Sequence, residues 1–324
     1  MIVIAPYFEI LDELDQQNLA VRIEACGRVC YKSEDKITEE SAGPFVKNII
    51  KRGHNSVLEM AVLTLRVVVA NEAAAAGFFR VLPKFLIVDR PAVGVYLITG
   101  SVRAFREIAL SHPDVTMVKA MAAFLRQRHP LLFAGIGAAA AVAPSAAAAP
   151  EVAVEKVPLA EVDKLPPDLL ARHRHLAVKF YVNRAVTHEI VRHRPCSYLQ
   201  ESQRYCRYGE DKFGGQVTFI KPLFFAEDSV EYRLWAEAMR ETERIYLQLL
   251  KSVSPQAART VLPNSCKTEL IAFANLLEWR HIFKLRTSAA AEPSMREIMT
   301  PLLANFQERF PAVFGERSGE ADSA

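Results

Sequence analysis

The spacing of apolar residues predicts mixed α and β structure in the first hundred residues. One helix is indicated by four apolar residues that share a face, namely Phe45, Val46, Ile49 and Ile50. We expect this helix to be capped by Thr38 and to end at residues 51–53, which read Lys-Arg-Gly. Three β-rich runs follow, at residues 62–69, 85–90 and 93–100. Together these runs predict an antiparallel sheet.

The middle of the chain changes character twice. Residues 101–112 and 116–129 have the spacing of two helices separated by Pro113. Residues 134–158 are then rich in Ala and Pro, which predicts a linker or a poorly ordered insertion.

The second half is predicted to be largely helical. Leu176, Phe180, Val186 and Ile190 indicate a helix from about residue 172 that ends at Arg194, because Pro195 disfavours helical geometry there. The remaining predicted elements are a short strand at 216–222, helices at 228–252, 268–286 and 294–310, and a disordered tail at 313–324. The pattern therefore predicts an α+β fold in which an antiparallel sheet is flanked by helices. We expect one domain over residues 1–312, with a divergent or inserted segment at about 113–168.

Composition limits the classes of ligand. The chain of 324 residues is 51% hydrophobic, and its 40 Lys and Arg against 37 Asp and Glu leave a net charge of only +3. This balance argues against a general DNA-binding protein but leaves room for a local basic pocket. Only 13 residues are Gly, which disfavours a glycine-rich phosphate loop. Phosphate binding would then depend on arginine side chains.

Cysteine usage and the N-terminal sequence predict a cytoplasmic protein. The five cysteines form no C-x-x-C pair, which favours a reducing compartment. The first fifteen residues carry acids where a signal peptide needs a basic flank. Residues 131–150 are uncharged, but they are mostly Ala and Gly and are broken by Pro144, so we predict no membrane span.

Three partial motifs are interpreted as non-functional. Residues 135–140 match G-x-G-x-x-A, but they lack a clear strand before them and a sustained helix after them. His188 and His193 miss the H-E-x-x-H zinc spacing by one residue, so no metal site is predicted. Cys196 lies in electropositive surroundings that would suit a thiolate nucleophile, although simple packing under the loop is the favoured interpretation.

Residues 188–208 concentrate the candidate chemistry. Many hydrogen-bond donors fall in this one predicted loop, among them Arg192, His193, Arg194, Arg204 and Arg207. Only Glu189 and Glu201 oppose them. The segment therefore predicts an anion-binding site.

The same segment resembles the signature of the flavin-dependent thymidylate synthases, R-H-R-x-x-S followed by S-x-R-Y. It is present here as residues 192–197 and 202–205. Three further blocks resemble the family in the same order: SEDKITEESAGPFVKNIIKRGHNSVLE, LITGSVRAFRE as in its longer members, and RTVLP through NLLEWRHIFKLR to PSMREI. The resemblance covers most of the chain outside about 113–168.

The resemblance implies two sets of binding residues. The FAD set is His54, Ser56, Glu59, Arg192, His193, Arg194, Gln200, Asn275 and His281. The set for deoxyuridylate (dUMP) is Glu189, Arg192, Gln200, Glu201, Ser202, Arg204, Arg259 and Arg286. The chain departs from the family pattern at Leu199, Leu277, Glu292 and Ser294.

The implied catalytic residues are Arg192, Arg286 and Ser202. Arg192 beside the uracil carbonyls would stabilise enolate charge, so no protein nucleophile is required. Ser202 occupies a position once considered for a nucleophile in the family. A serine without an adjacent base is a poor nucleophile, and its role is interpreted as nucleotide binding.

The implied activity is reductive methylation of dUMP to dTMP. Methylenetetrahydrofolate would supply the methylene group, FAD would carry the hydride and NADPH would be the reductant. The resemblance also implies a homotetramer with active sites between subunits and no membrane or DNA partner. The alternative is a catalytically impaired family member that binds nucleotide or RNA through the same arginines.

Overall fold

A computed structural model describes residues 1–81, 83–136, 151–210 and 213–315. The strands are β1 (Ile2–Ile4), β2 (Tyr7–Ile10), β3 (Val62–Val69), β4 (Leu86–Ala92), β5 (Val95–Ser101), β6 (Val152–Lys156), β7 (His175–Asn183), β8 (Ser197–Gln200), β9 (Thr218–Ile220) and β10 (Lys267–Asn275). The α-helices are α1 (Leu19–Val29), α2 (Ala42–Lys51), α3 (Glu72–Arg80), α4 (Val102–Ser111), α5 (Thr116–Arg128), α6 (Leu159–Val162), α7 (Pro167–His173), α8 (Arg184–Ile190), α9 (Val230–Leu249), α10 (Pro255–Ala258), α11 (Leu276–Arg286), α12 (Pro293–Arg309) and α13 (Pro311–Phe314). Short 3₁₀ helices occupy Asp12–Gln16, Glu34–Lys36, Asn55–Met60 and Arg259–Val261.

The chain forms two compact units, and each is discontinuous in sequence. Unit 1 consists of Met1–Asp12, Gly27–Asp35 and Leu176–Ala324. Unit 2 consists of Glu13–Cys26 and Lys36–His175. The α+β class is confirmed by sheets and helices in both units.

Unit 2 contains the antiparallel sheet predicted from the β-rich runs. Its strand order is β4-β5-β3-β6, and β3 pairs with β5 in the register Val62↔Ser101. Strand β6 pairs with β3 and falls inside the predicted linker at 134–158, so that prediction is wrong for Val152–Lys156. The valines of this short segment gain a partner strand that its Ala-rich surroundings do not reveal. Residues 137–150 lie outside the described residues.

Helix α2 is confirmed, but its predicted start is wrong. Ser41 occupies the N-cap position, and the Thr38 backbone N–H donates to Ser41 Oγ at 2.9 Å. The C-terminal prediction holds, because Gly53 follows the helix with φ of +69°, a conformation that glycine adopts without steric cost. Helices α4 and α5 confirm the two helices predicted around Pro113.

Unit 1 is built on a sheet of order β2-β7-β10-β8. Strands β7 and β10 are central, and most of their residues are buried. Strand β8 is antiparallel to β10 in the register Leu270↔Gln200. A separate parallel pair joins β1 to β9.

The two helices predicted at about 172–194 and at 268–286 are wrong in their first halves. Each segment is a nine-residue strand, β7 or β10, followed by a helix, α8 or α11. A strand that is buried on both faces is continuously apolar, so its pattern is hard to distinguish from that of a buried helix. Asn183 and Asn275 mark the true helix starts, since their side chains accept from Val186 N and Glu278 N.

Other boundaries also differ from prediction. Helix α8 ends at Ile190 rather than Arg194, and strand β8 lies within the predicted loop at 188–208. Val313 and Phe314 are helical and buried, so the ordered chain extends past the predicted tail boundary, whereas residues 316–324 lie outside the described residues. Strand β9 and helices α9 and α12 confirm the remaining predictions.

An aromatic cluster packs the end of α11 against α12 and α13. Trp279 is fully buried and donates through Nε1 to Leu176 O at 3.1 Å. The rings of Phe283 and Phe306 lie 5.7 and 5.3 Å from the ring of Trp279. Phe314 packs edge-on against these two phenylalanines, at 5.8 and 5.3 Å. This packing fixes the helix that carries Arg286 and His281. Within the described part of the chain, no helix is long and apolar enough to cross a membrane.

Candidate functional site

Arg286 is held in place by three hydrogen bonds at the end of α11. Its Nε donates to His193 Nε2 at 3.0 Å, its Nη1 to Glu189 Oε2 at 2.7 Å and its Nη2 to Glu189 O at 3.1 Å. A guanidinium group has five N–H donors, so two remain for a ligand. The structure thus brings together three predicted site residues.

His193 is neutral and has a defined tautomer. Burial, followed by the charges of Arg286 and His281, lowers its pKa to about 4. Because Nε2 accepts from Arg286, the proton of the neutral ring is on Nδ1. Nδ1 lies 3.8 Å from Glu278 Oε1.

Glu278 contributes a buried acceptor that sequence reasoning missed. Its Oε1 accepts no hydrogen bond from the described residues, and burial raises the pKa of its carboxyl group. A buried oxygen without a protein donor is available to a water molecule, an ion or a ligand donor. The only signal in the sequence is the E-x-x-H spacing of Glu278 and His281 on one helix.

A metal ion is the other group that the side chains around Glu278 could bind. His193, Glu278 and His281 offer ligand atoms that all lie within 4.8 Å of one another. Metal ligation by His193 would require loss of the Nδ1 proton, since Nε2 is committed to Arg286. A histidine ligand usually donates its second nitrogen to an acceptor, and here that nitrogen accepts from a cation instead. The hydrogen bonding therefore favours an organic ligand.

Four other predicted arginines are available to anions. Arg192, Arg194, Arg204 and Arg259 are exposed, and no side chain of the described residues forms an ion pair with them. Arg204 lies 5.3 Å from the ring centroid of Tyr205, which is itself 54% exposed. Arg207 differs, because its Nη2 donates to Leu250 O at 2.5 Å.

Two predicted nucleotide contacts lie at the end of β8 and just after it: Gln200 is its last residue, and Ser202 follows two residues later. The amide of Gln200 donates to the hydroxyls of Thr187 and Thr268 at 3.1 and 3.2 Å. The Ser202 backbone N–H donates to Cys30 O, and its Oγ accepts from Arg204 N at 3.3 Å. No side-chain base among the described residues is hydrogen-bonded to Ser202 Oγ, which agrees with a binding role.

Glu201 is a correction to the predicted nucleotide contacts. Its side chain is fully buried, and its two oxygens accept from Tyr208 Oη and Lys267 Nζ, each at 2.8 Å. Residues 200 and 201 point to opposite sides of the extended chain, as successive strand residues do. Glu201 therefore anchors this segment and does not face a ligand.

A buried charge cluster lies beneath the same segment. Glu269 forms an ion pair at 2.8 Å with each of Lys32, Lys179 and Lys267. Burial alone would raise the pKa of Glu269, but the three ammonium groups outweigh it and lower the pKa to about 2. Sequence reasoning missed this cluster, whose signal is a set of charged residues within otherwise apolar strands.

Cys196 is not activated. Burial is the main reason that the pKa of its thiol is raised to about 12, and Glu278 adds to the effect. A nucleophilic cysteine needs a lowered pKa. The packing interpretation of Cys196 is therefore favoured over the nucleophile.

Three predicted flavin contacts lie in unit 2. His54 and Ser56 are exposed at the start of the 3₁₀ helix Asn55–Met60, which is anchored by buried Val57, Leu58 and Met60. Glu59 accepts from Arg103 Nη1 at 2.6 Å. The remaining pair lies in unit 1: Asn275 caps α11, and His281 is exposed with its ring 6.0 Å from that of His193.

These features define an α+β protein whose arginine-rich turn follows a short helix and precedes an edge strand. A family model described as "thymidylate synthase complementing protein" matches residues 10–81 and 169–312. The chain belongs to this family, the Thy1 family.

Individual relatives agree with the family match. The chain is 34% identical over 128 residues to the flavin-dependent thymidylate synthase of Pyrococcus abyssi, and 35% identical over 128 residues to that of Pyrococcus furiosus. Each match covers 39% of this chain and 52% of the relative. The Corynebacterium glutamicum enzyme of the same name is 32% identical over 151 residues, which is 42% of this chain and 58% of that protein. The chain thus spans little more than half the length of these relatives.

Proposed function

We propose that this protein is a flavin-dependent thymidylate synthase, which reductively methylates dUMP to dTMP. The observation that carries the proposal is the set of exposed, unpaired arginines that accompanies the fixed Arg286 in a member of the Thy1 family. The names of the relatives support the same reaction.

The nucleotide would be bound through charge. Arg204 and Arg259 offer guanidinium donors to a phosphate dianion, and such charge-assisted bonds are about twice as strong as neutral ones. Arg192 would lie beside the uracil carbonyls and stabilise enolate charge there. Arg286 has a different task, because Glu189 and His193 already occupy three of its donors. Its fixed charge would stabilise negative charge that develops on the pyrimidine ring.

The residues around His193 fit a flavin. FAD would supply hydride chemistry when bound. The Nδ1–H of His193 and the orphaned Oε1 of Glu278 form a donor and acceptor pair of the kind that a flavin ring edge needs. Arg194, Asn275 and His281 are the other flavin contacts proposed in unit 1. His54, Ser56 and Glu59 are the flavin contacts that the family resemblance implies in unit 2.

The remaining parts of the proposal follow the same family. NADPH and methylenetetrahydrofolate would be co-substrates, and the active protein would be a cytoplasmic homotetramer. An isolated protomer would then bind FAD poorly. Undiminished flavin affinity after dilution to monomers would contradict the tetramer.

Flavin oxidation tests the proposed activity directly. Purified full-length protein reconstituted with FAD is reduced by NADPH without oxygen, and methylenetetrahydrofolate is added with and without dUMP. We expect flavin oxidation and dTMP formation only when both substrates are present. The catalytically impaired alternative predicts nucleotide binding with no dTMP, and that result would overturn the proposed activity.

A further inference from the structure

The side-chain amide of Gln200 is fixed by two buried hydroxyl groups. Its Nε2 donates to Thr187 Oγ1 at 3.1 Å and to Thr268 Oγ1 at 3.2 Å. Both threonines are fully buried. The two N–H groups of the amide are thus used inside the protein.

Thr187 determines which way the amide faces. Its hydroxyl has a single proton, and that proton is donated to Arg184 O at 2.9 Å. Thr187 Oγ1 can therefore only accept from Gln200, so the amide nitrogen must face it. Oε1 of Gln200 is turned away, and no donor from the described residues bonds to it.

Thr268 cannot impose this orientation. No acceptor among the described residues takes the proton of its hydroxyl, so this group can donate or accept as Gln200 requires. The two threonines contact the same amide nitrogen but differ in this one respect. They form a matched pair for a test.

We propose that Thr187 is a positioning residue that makes Gln200 an obligate hydrogen-bond acceptor, so that the site selects nucleotides with a donor at this point. The inference rests on the proposed function, in which dUMP is the ligand. Two groups of dUMP share the required chemistry, namely the ring N3–H and the 3′-hydroxyl. Each is a donor that an acceptor oxygen would bind and an amide N–H would reject.

The test compares ligands that differ by one donor. Dissociation constants of the full-length protein are measured by calorimetry for dUMP, N3-methyl-dUMP and 2′,3′-dideoxyuridine monophosphate. We expect one analogue to bind about tenfold more weakly than dUMP, the size of one hydrogen bond. The analogue that loses affinity identifies which donor Gln200 binds.

The variants separate positioning from stability. In Thr187→Val the amide is free to turn, and we expect the discrimination to fall below about twofold. Thr187→Ser should restore it, and Thr268→Val should keep it. The double variant Thr187→Val/Gln200→Glu should also discriminate, since both carboxylate oxygens are acceptors in either orientation.

The possible failures are distinguishable. If wild-type protein does not bind dUMP, the proposed function fails and the inference fails with it. If wild-type protein binds dUMP but neither analogue is weakened, or if Thr187→Val discriminates as wild type does, the inference is overturned and the proposed function stands. Loss of discrimination in Thr268→Val to the same extent as in Thr187→Val would also overturn it.

Discussion

Two segments of unit 1 have the same order of elements, a strand followed by an asparagine-capped helix, but their helices differ in length. Strand β7 leads through Asn183 into helix α8, and strand β10 leads through Asn275 into helix α11. Both asparagines have φ of −74° and ψ of 164° and cap their helices through the side chain. Helix α8 stops at Ile190, whereas α11 continues to Arg286.

Because the two helices end at different points, their arginines lie in different environments. The early stop of α8 leaves Arg192 and Arg194 exposed on a turn, and Tyr198 Oη binds that turn at the carbonyls of Ile190 and His193. The longer α11 brings Arg286 to Glu189, which lies in α8, and to His193, which lies on the turn after α8. One segment thus provides exposed arginines, and the other provides an arginine with a fixed position.

Substitution of the buried Glu269 on β10 should cause the largest loss of stability. Glu269→Gln leaves Lys32, Lys179 and Lys267 without their common partner, and we expect the free energy of unfolding to fall by about 3–5 kcal/mol. Urea denaturation at pH 7 measures this change. Glu241→Gln, at an exposed position of α9, is the control, and it should leave the midpoint of urea denaturation unchanged.

The same cluster predicts an acid limit. The pKa of Glu269 is lowered to about 2 in the folded protein from an ordinary value of 4.5, so its contribution is present above pH 4.5 and is lost as pH falls through 2. Glu269→Gln should lack this part of the pH dependence. Equal acid sensitivity of the two proteins would contradict the role of the lysines.

The fixed arginine should matter more for turnover than its exposed counterpart. We expect Arg286→Ala to lower kcat/KM for dUMP about 100-fold, or about 2.7 kcal/mol, and Arg194→Ala to lower it less than about tenfold. Steady-state dTMP formation measures both. Equal losses would show that a fixed position gives Arg286 no advantage.

Protonation of His193 should make the free energy of unfolding depend on pH, because His193 accepts a hydrogen bond from Arg286. Its pKa is lowered from 6.5 to about 4 on folding, so the unfolded chain takes up this proton first as pH falls. Stability should decrease by about 1–2 kcal/mol between pH 6.5 and 4 and lose nothing further from this group below 4. His193→Gln keeps an acceptor for Arg286 and should remove this component, as followed by denaturation across that range.

The two caps should be equivalent. Asn183→Ala and Asn275→Ala each remove one side-chain bond to a helix N–H, and we expect each to cost about 1 kcal/mol of stability. Asn→Asp at either position should be nearly neutral. A loss confined to one cap would show that the two segments are not alike in their energetics.

Substitution of Cys196 should have the smallest effect on turnover. The residue lies just after the turn that follows α8, and its raised thiol pKa of about 12 leaves almost no thiolate at neutral pH. We expect Cys196→Ala to keep turnover within about twofold of wild type. Loss of all dTMP formation would restore the nucleophile hypothesis.

The sequence by itself determined the family, the arginine set and several elements. The R-H-R-x-x-S and S-x-R-Y motifs are local, so they can be read without knowing the fold. The amphipathic helices α2, α9 and α12 and the sheet of unit 2 also follow from periodicity, because one face is buried and the other is exposed.

Only the tertiary structure decided where β7 and β10 end and what their charges do. Strands buried on both faces have no alternating pattern of polar and apolar residues. The sequence therefore predicted that the helices after β7 and β10 begin too early, within the strands themselves. The direction of a carboxylate depends on partners far away in sequence, as with Glu201 and Lys267, or Glu278 and His193. Burial and pairing are properties of the packed chain, and they separate the anchoring Glu201 from the acceptor Gln200 beside it.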